Sequence, residues 1–303
     1  MPTMPTFNVK FGYQPQAIDT SLEVDVLMFQ LLRQLTPQQK GDRLSSSHRA
    51  VRKLAIAGIE NQYPLVTGAK LRQEFVKRCL GDEWLKILAG LLDQQEWGEL
   101  VIIDPIALAQ KIADLLLPLN IPYVVGGSVA SSLLGENRAT QDLDLVIALD
   151  SQTAPRLIEI MAGEFYISES AVNEAILKAK TAPREASFNV IYLPSIEKVD
   201  IFVMSSDDPF SNSVMSRRHF HPVGSLATPD AGIYIYSPED IILQKLSWYQ
   251  LIPGGSQKQW RDVLGVLKMQ GERIDRAYLN QWAITLELTD LLTTALLQSG
   301  QEK

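Results

Sequence analysis

Apolar positions along the first hundred residues recur at helical spacing. Within "SLEVDVLMFQLLRQLTPQQKGDRL", Val24, Leu27, Phe29, Leu31 and Leu35 are set among charges, and helix breaks are expected near Pro37 and Gly41. "SSSHRAVRKLAIAGIENQYP" and "GAKLRQEFVKRCLGDEWLKILAGLL" continue in the same style without a persuasive strand. From about Glu99 the texture changes. Pro105 to Leu119 predicts a helix, "NIP" leads into a short apolar strand at Tyr123 to Val125, and Gly126-Gly127 predicts a turn. Ser128 to Leu134 suits a helix entered directly from that turn, and Thr140 to Ala148 is the next strand. A helix near "TAPRLIEIMAG" precedes two strands, "FNVIYL" and "KVDIFVM", joined by "PSIE". "SPEDIILQKLSWYQ" opens with Ser237 as N-cap, Pro238 at the first helical position and Glu239 and Asp240 in the first turn. Helices follow to Lys303.

This pattern predicts an α+β protein in which a small mixed sheet is flanked by helices. Residues 1–97 form an all-helical domain of unassigned role, and residues 98–303 a second domain with its core at 105–205 and a helical C-terminal part at 237–303. A chain of 303 residues is long enough for two cores. No apolar run approaches the roughly 20 residues that span a bilayer. The opening "MPTMPTFNVKFGY" lacks the basic and apolar regions of a secretory signal. The single cysteine, Cys79, makes no internal disulfide and no cysteine-based metal site, and it reads as a small core or helix residue. A cytoplasmic location is therefore expected. A net charge of −7 weighs against a protein that coats nucleic acid. It leaves room for a local basic patch, or for a small anionic substrate that arrives with a divalent metal.

One stretch stands apart from this ordinary background. "YVVGGSVASSLLGENRATQDLDLVI" sets a glycine pair, a serine and two carboxylates into apolar strand and helix. Side chains two apart on a strand share a face, so Asp142 and Asp144 point the same way, and ionised carboxylates in apolar surroundings need positive charge. A strand ending in a glycine turn at a helix start presents backbone N–H groups. With the Ser128 hydroxyl these make a cradle for phosphate. The adjacent D-x-D can hold divalent metal, and Asp200, a lone acid on an otherwise apolar strand, is the candidate third ligand.

Each of these features has a plainer reading. Gly126-Gly127 alone is a turn, and it is neither a P-loop nor G-x-G-x-x-G. A lone D-x-D is a solvated strand end or the metal pair of a glycosyltransferase. Arg138 reads equally as a phosphate contact or a surface charge, and Lys245 with Asp262 as site groups or as an interhelical ion pair. His219 and His221 form an H-x-H in an expected loop, which favours exposed polar chain over zinc, although "RRH" could touch a phosphate backbone. Trp248, Tyr249 and Trp260 read as core or hinge aromatics, and Asp207-Asp208 as a turn or a helix cap before Pro209.

Taken together, Val125-Gly126-Gly127-Ser128, Asp144 flanked by Leu143 and Leu145, and Asp200 on a later strand resemble the nucleotidyltransferase superfamily related to DNA polymerase β. "PYVVGGSVASSLLG", "ATQDLDLVI", "SFNVIYL", "KVDIFV", "SPEDIILQKLSWY" and "QWRDVLGVLK" resemble, in order, bacterial minimal nucleotidyltransferases akin to the AbiEii toxin. The likeness implies a polymerase β-like sheet and transfer of a nucleoside monophosphate from NTP with Mg2+ (or Mn2+), pyrophosphate leaving. It assigns the metal to Asp142, Asp144 and Asp200, with Asp200 also aiding deprotonation of the acceptor. It assigns nucleotide contacts to Gly126, Gly127, Ser128, Arg138 and Lys245, and places Lys245 and Asp262 among the catalytic groups. The implied acceptor is an RNA end, a protein or a small molecule. Two features depart from the AbiEii pattern: Gly265 stands where a second acid is usual, and "QLIPGGSQKQW" replaces the arginine-bearing link, with Lys258 and Arg261 remaining.

The helical region is loosely similar to short helical proteins associated with such enzymes, which implies a partner or regulator packed on the transferase domain. A fused toxin-antitoxin-like module and a nucleotide-binding relative of weak catalysis are the alternative readings.

Overall fold

The computed structural model describes residues 10–66, 68–94, 100–140, 142–223 and 231–301. The boundary expected at Trp97 lies outside them. Four helices come first: α1 (Leu22–Arg33), α2 (Pro37–Gln62), α3 (Gly68–Cys79) and α4 (Asp82–Gln94). Pro37 starts α2 rather than ending a helix, because its missing N–H costs nothing at the first position and Thr36 and Gln39 close a capping box around it. Gly41, expected to break the helix, lies inside it with its open side against Ile106.

The rest of the chain alternates. In order come α5 (Pro105–Leu116), β1 (Tyr123–Val125), α6 (Gly127–Leu134), β2 (Leu143–Ile147), α7 (Ala154–Met161), β3 (Phe165–Ile167) and α8 (Glu169–Thr181). They are followed by β4 (Ser187–Tyr192), β5 (Glu197–Val203), α9 (Pro209–Arg217), β6 (His219–Pro222) and β7 (Gly232–Ile235). Helices α10 (Pro238–Leu251), α11 (Gln257–Gln270), α12 (Arg276–Thr285) and α13 (Thr289–Gln298) complete the described chain. The fold is α+β, as the pattern predicts. Short β3 and the antiparallel pair β6 and β7 have no separate signal in the periodicity.

The seven strands form one mixed sheet in the order β3-β4-β5-β2-β1-β7-β6. Strands β2 and β5 run parallel, as do β1 and β7, and the other neighbours are antiparallel. Burial alternates strictly along β5 and β2. Val199, Ile201, Leu143 and Leu145 enter the core, whereas Asp144, Val146, Lys198, Asp200 and Phe202 share the other, partly open face. That face carries the candidate site.

The N-terminal helices contribute no strand to this sheet among the described residues, yet they bury charge against it. Leu44 of α2 belongs to the main core, and Ile59, Phe75 and Leu88 pack with Ile191, Leu193 and Ile196 at the β4–β5 turn. Asp25 of α1 meets Lys268 of α11 at 2.8 Å, both fully buried. Glu197 of β5 accepts from buried Arg52, and the His48 ring spans from Glu197 Oε1 to the Thr140 carbonyl at 3.1 Å each. These are partners that an exposed surface would not need.

His221 corrects an expectation: it lies on β6, not in an exposed loop, and is buried facing Lys40 and the Pro37 carbonyl. Burial, then the Lys40 ammonium, pulls its pKa from 6.5 down to about 4. The unfolded chain therefore binds a proton between those values that the folded chain refuses, so stability rises with pH across the interval. His221→Phe is expected to flatten that acid limb, worth up to about 3 kcal/mol between pH 7 and pH 4. Urea unfolding at the two pH values checks it, and an unchanged slope would refute it.

Candidate functional site

The site grows from the junction of β1, α6 and β2. Gly127 adopts φ +54°, and a Cβ there would sit 1.7 Å from Asp144 Oδ2, so both the backbone and the space demand glycine. Asp144 uses that opening: its carboxylate accepts the Ser128 backbone N–H at the start of α6. In register on the neighbouring parallel strand stands Asp200. Asp142 lies just before β2, half-exposed, and closes the same end of the sheet. Burial chiefly, then the neighbouring Asp200, raises the Asp144 pKa; burial also raises that of Asp200, against the pull of Lys198. Crowded acids beside a helix start offer oxygen donors suited to a hard divalent cation.

Two residues that sequence reasoning missed partner these acids, one by charge and one by hydrogen bonding. Lys198, two positions before Asp200 and on the same face, reaches Asp200 at 3.0 Å and Asp142 at 3.6 Å. Burial works against its ammonium, but the two carboxylates outweigh it and raise the pKa. Asn189, opposite Asp200 on β4, donates its amide to the carboxylate. Among the described residues no three His, Cys, Asp or Glu side chains gather closely enough to hold a metal ion. The three aspartates are neighbours, with Lys198 serving as their cation. The signal for Lys198 was present in "KVD", where strand periodicity puts i and i+2 together.

A cleft of about 250 Å³ opens over this end of the sheet. Gly127, Ser128, Asp142, Asp144 and Lys245 line it, with Gln244, Trp248 and Lys258 at its sides. Trp248, expected in a core or hinge, is a wall of the cleft and 38% exposed. Asp200 and Asp262 do not line it. Asp262 of α11 lies buried beneath, gripped by Arg138 at 2.7 and 2.8 Å, by the Ser131 hydroxyl at 3.2 Å and by Lys245 at 3.0 Å. Arg138 also donates to the Ser128 hydroxyl at 2.5 Å. Burial would raise the Asp262 pKa, but Arg138 and Lys245 hold it below the usual carboxylate range. Burial in turn lowers that of Lys245. The ion-pair reading of Lys245 and Asp262 therefore holds geometrically, while Lys245 still faces the cleft. Arg261 turns away to Glu136.

No family model matches the chain, and no curated protein matches it. Among solved structures it is similar to an antigenic nucleotidyltransferase-like protein from Paracoccidioides brasiliensis, at 19% identity, with 62% of this chain and 90% of that one covered and a TM-score of 0.37. It is similar to the antibiotic-resistance factor ANT(2'')-Ia at 14% identity, covering 60% and 97%, TM-score 0.35. JHP933 from Helicobacter pylori follows at 14% identity, covering 64% and 90%, TM-score 0.29.

Proposed function

We propose that the chain is a metal-dependent nucleotidyltransferase that moves a nucleoside monophosphate from NTP to an acceptor. The observation that carries this reading is the pairing of Asp144 with Asp200 in adjacent parallel strands, directly beside the Gly127-Ser128 helix start. Asp144 and Asp200, paired in register, would hold Mg2+ together with the triphosphate, with Asp142 beside them across Lys198, and the cation would supply charge neutralisation between the carboxylates and the triphosphate. Ser128 and the α6 backbone bind phosphate oxygens, with Lys245 and exposed Lys258 adding positive charge along the cleft. Arg138, fixed by Asp262, orients the Ser128 hydroxyl. Asp200 stands on the open face, where it can accept a proton from the acceptor once Lys198 moves aside.

Calorimetric titration with ATP, GTP, CTP and UTP, with and without magnesium, tests the proposal. At least one triphosphate is expected to bind only when magnesium is present. Failure of all four under both conditions would overturn it.

A further inference from the structure

A second cavity continues from the cleft along the same sheet face. It measures about 610 Å³ and shares Phe202, Gln244 and Trp248 with the cleft. Strand periodicity explains the continuity: Asp144 and Val146 share one face of β2, and Asp200 and Phe202 share one face of β5, running on to Met204 beyond its end. The carboxylates and the cavity floor are therefore one surface. Phe210 and Val214 of α9 and Trp248 and Leu251 of α10 roof it. The volume lies in the range of small-molecule sites, and the lining is mainly apolar. A nucleic-acid groove needs a track of lysine and arginine with stacking aromatics, and among the described residues Arg184 is the one such cation on the wall.

The junction of the two cavities holds an unmet demand. Gln244 gives its amide N–H to the Tyr236 hydroxyl at 3.2 Å, while its buried Oε1 has no donor among the described residues. An occupant that reaches from the apolar cavity toward the carboxylates would pass this oxygen and satisfy it with an O–H or N–H.

Resting on the nucleotidyltransferase reading, we infer that this cavity is the acceptor subsite and that it takes a small, largely apolar molecule presenting a hydroxyl or amine to Gln244 Oε1. In the transfer, the acceptor oxygen or nitrogen bonds to the α-phosphorus. The bond from that phosphorus to the pyrophosphate oxygen breaks, its electron pair leaves with pyrophosphate, and the acceptor proton passes to Asp200 and then to water.

The test uses the full chain with 2-naphthol as a fluorescent probe and its methyl ether as a partner lacking the donor. The naphthol is expected to bind about 5–10-fold more tightly than the ether, and Gln244→Leu to erase that preference. Ser247→Phe and Met204→Trp fill the cavity without touching the carboxylates. Each is expected to weaken naphthol binding at least about tenfold, while magnesium-dependent triphosphate affinity stays within about twofold. Unchanged naphthol affinity in both filled variants, or equal binding of the ether, overturns the inference. Loss of triphosphate affinity in the filled variants overturns it too, by assigning the cavity to the nucleobase. Failure of the wild-type chain to bind any triphosphate would defeat the nucleotidyltransferase reading instead, whatever the naphthol does.

Discussion

Replacing Asp144 by asparagine is expected to weaken magnesium-dependent triphosphate binding by roughly 10²-fold or more, while the metal-free protein melts at the same temperature or higher. The carboxylate stands buried among like charges, so it costs folding energy without a metal and earns its place only with one. Asparagine keeps an acceptor for the Ser128 N–H and removes the repulsion from Asp200 and Asp142. The pH dependence follows the same logic. A carboxyl whose folded pKa is raised binds a proton in the folded state that the unfolded chain releases, so metal-free stability falls as pH rises through the carboxylate range. Asp144→Asn should flatten that fall. Thermal melting from pH 4 to pH 7 without metal, paired with triphosphate titration in magnesium, checks both halves. A lower melting temperature with unchanged affinity would make Asp144 a structural residue.

Lys268→Met is expected to destabilise the protein by about 3–5 kcal/mol, because it strands Asp25 as a buried charge. The ammonium at present meets Asp25 at 2.8 Å and the Gln14 carbonyl at 2.5 Å, and lies over the rings of Tyr13 and Phe29. The double variant Lys268→Met with Asp25→Asn should recover most of the loss, since asparagine removes the unpaired charge and keeps an acceptor for the Tyr13 hydroxyl and the Gln16 N–H. Urea unfolding of the two variants decides the matter; a loss below about 1 kcal/mol in the single variant would show that water reaches Asp25. The same contacts bear on truncation. Removing residues 1–97 takes Asp25 from Lys268 and both Arg52 and His48 from Glu197, and uncovers the apolar surface at Ile191, Leu193 and Ile196.

The elements around the site were legible because each has a local cause. Tyr123 to Val125 is an apolar run closed by a glycine turn, and α10 begins at Ser237-Pro238 because a capping serine and a proline together specify a helix start. The helix cap at Asp208 before Pro209 follows from the same chemistry. Strand β6 has no local signal, because "HFHP" owes its extended form to pairing with β7 and its burial at His221 to α2. Neither partner is near it in sequence.

Period-two spacing placed Asp142 and Asp144 together, and the lone acid of "KVDIFVM" marked Asp200. Local sequence alone determined those positions, along with the glycine that Asp144 requires. Only the tertiary structure decided what faces them. Parallel pairing of β2 with β5 sets Asp144 beside Asp200, and antiparallel pairing with β4 delivers Asn189. The crossing of α10 over the open face creates the apolar cavity and leaves Gln244 Oε1 without a donor among the described residues. Tertiary packing also makes Asp262 the anchor of both Arg138 and Lys245, where the sequence left a site group or an ion pair with Lys245 open. The physical reason is range: a side chain's direction along a strand or helix, and the Lys198–Asp200 pair with it, is fixed by neighbours in sequence, whereas the groups that meet Asp144 and Asp262 come from segments tens of residues or more away.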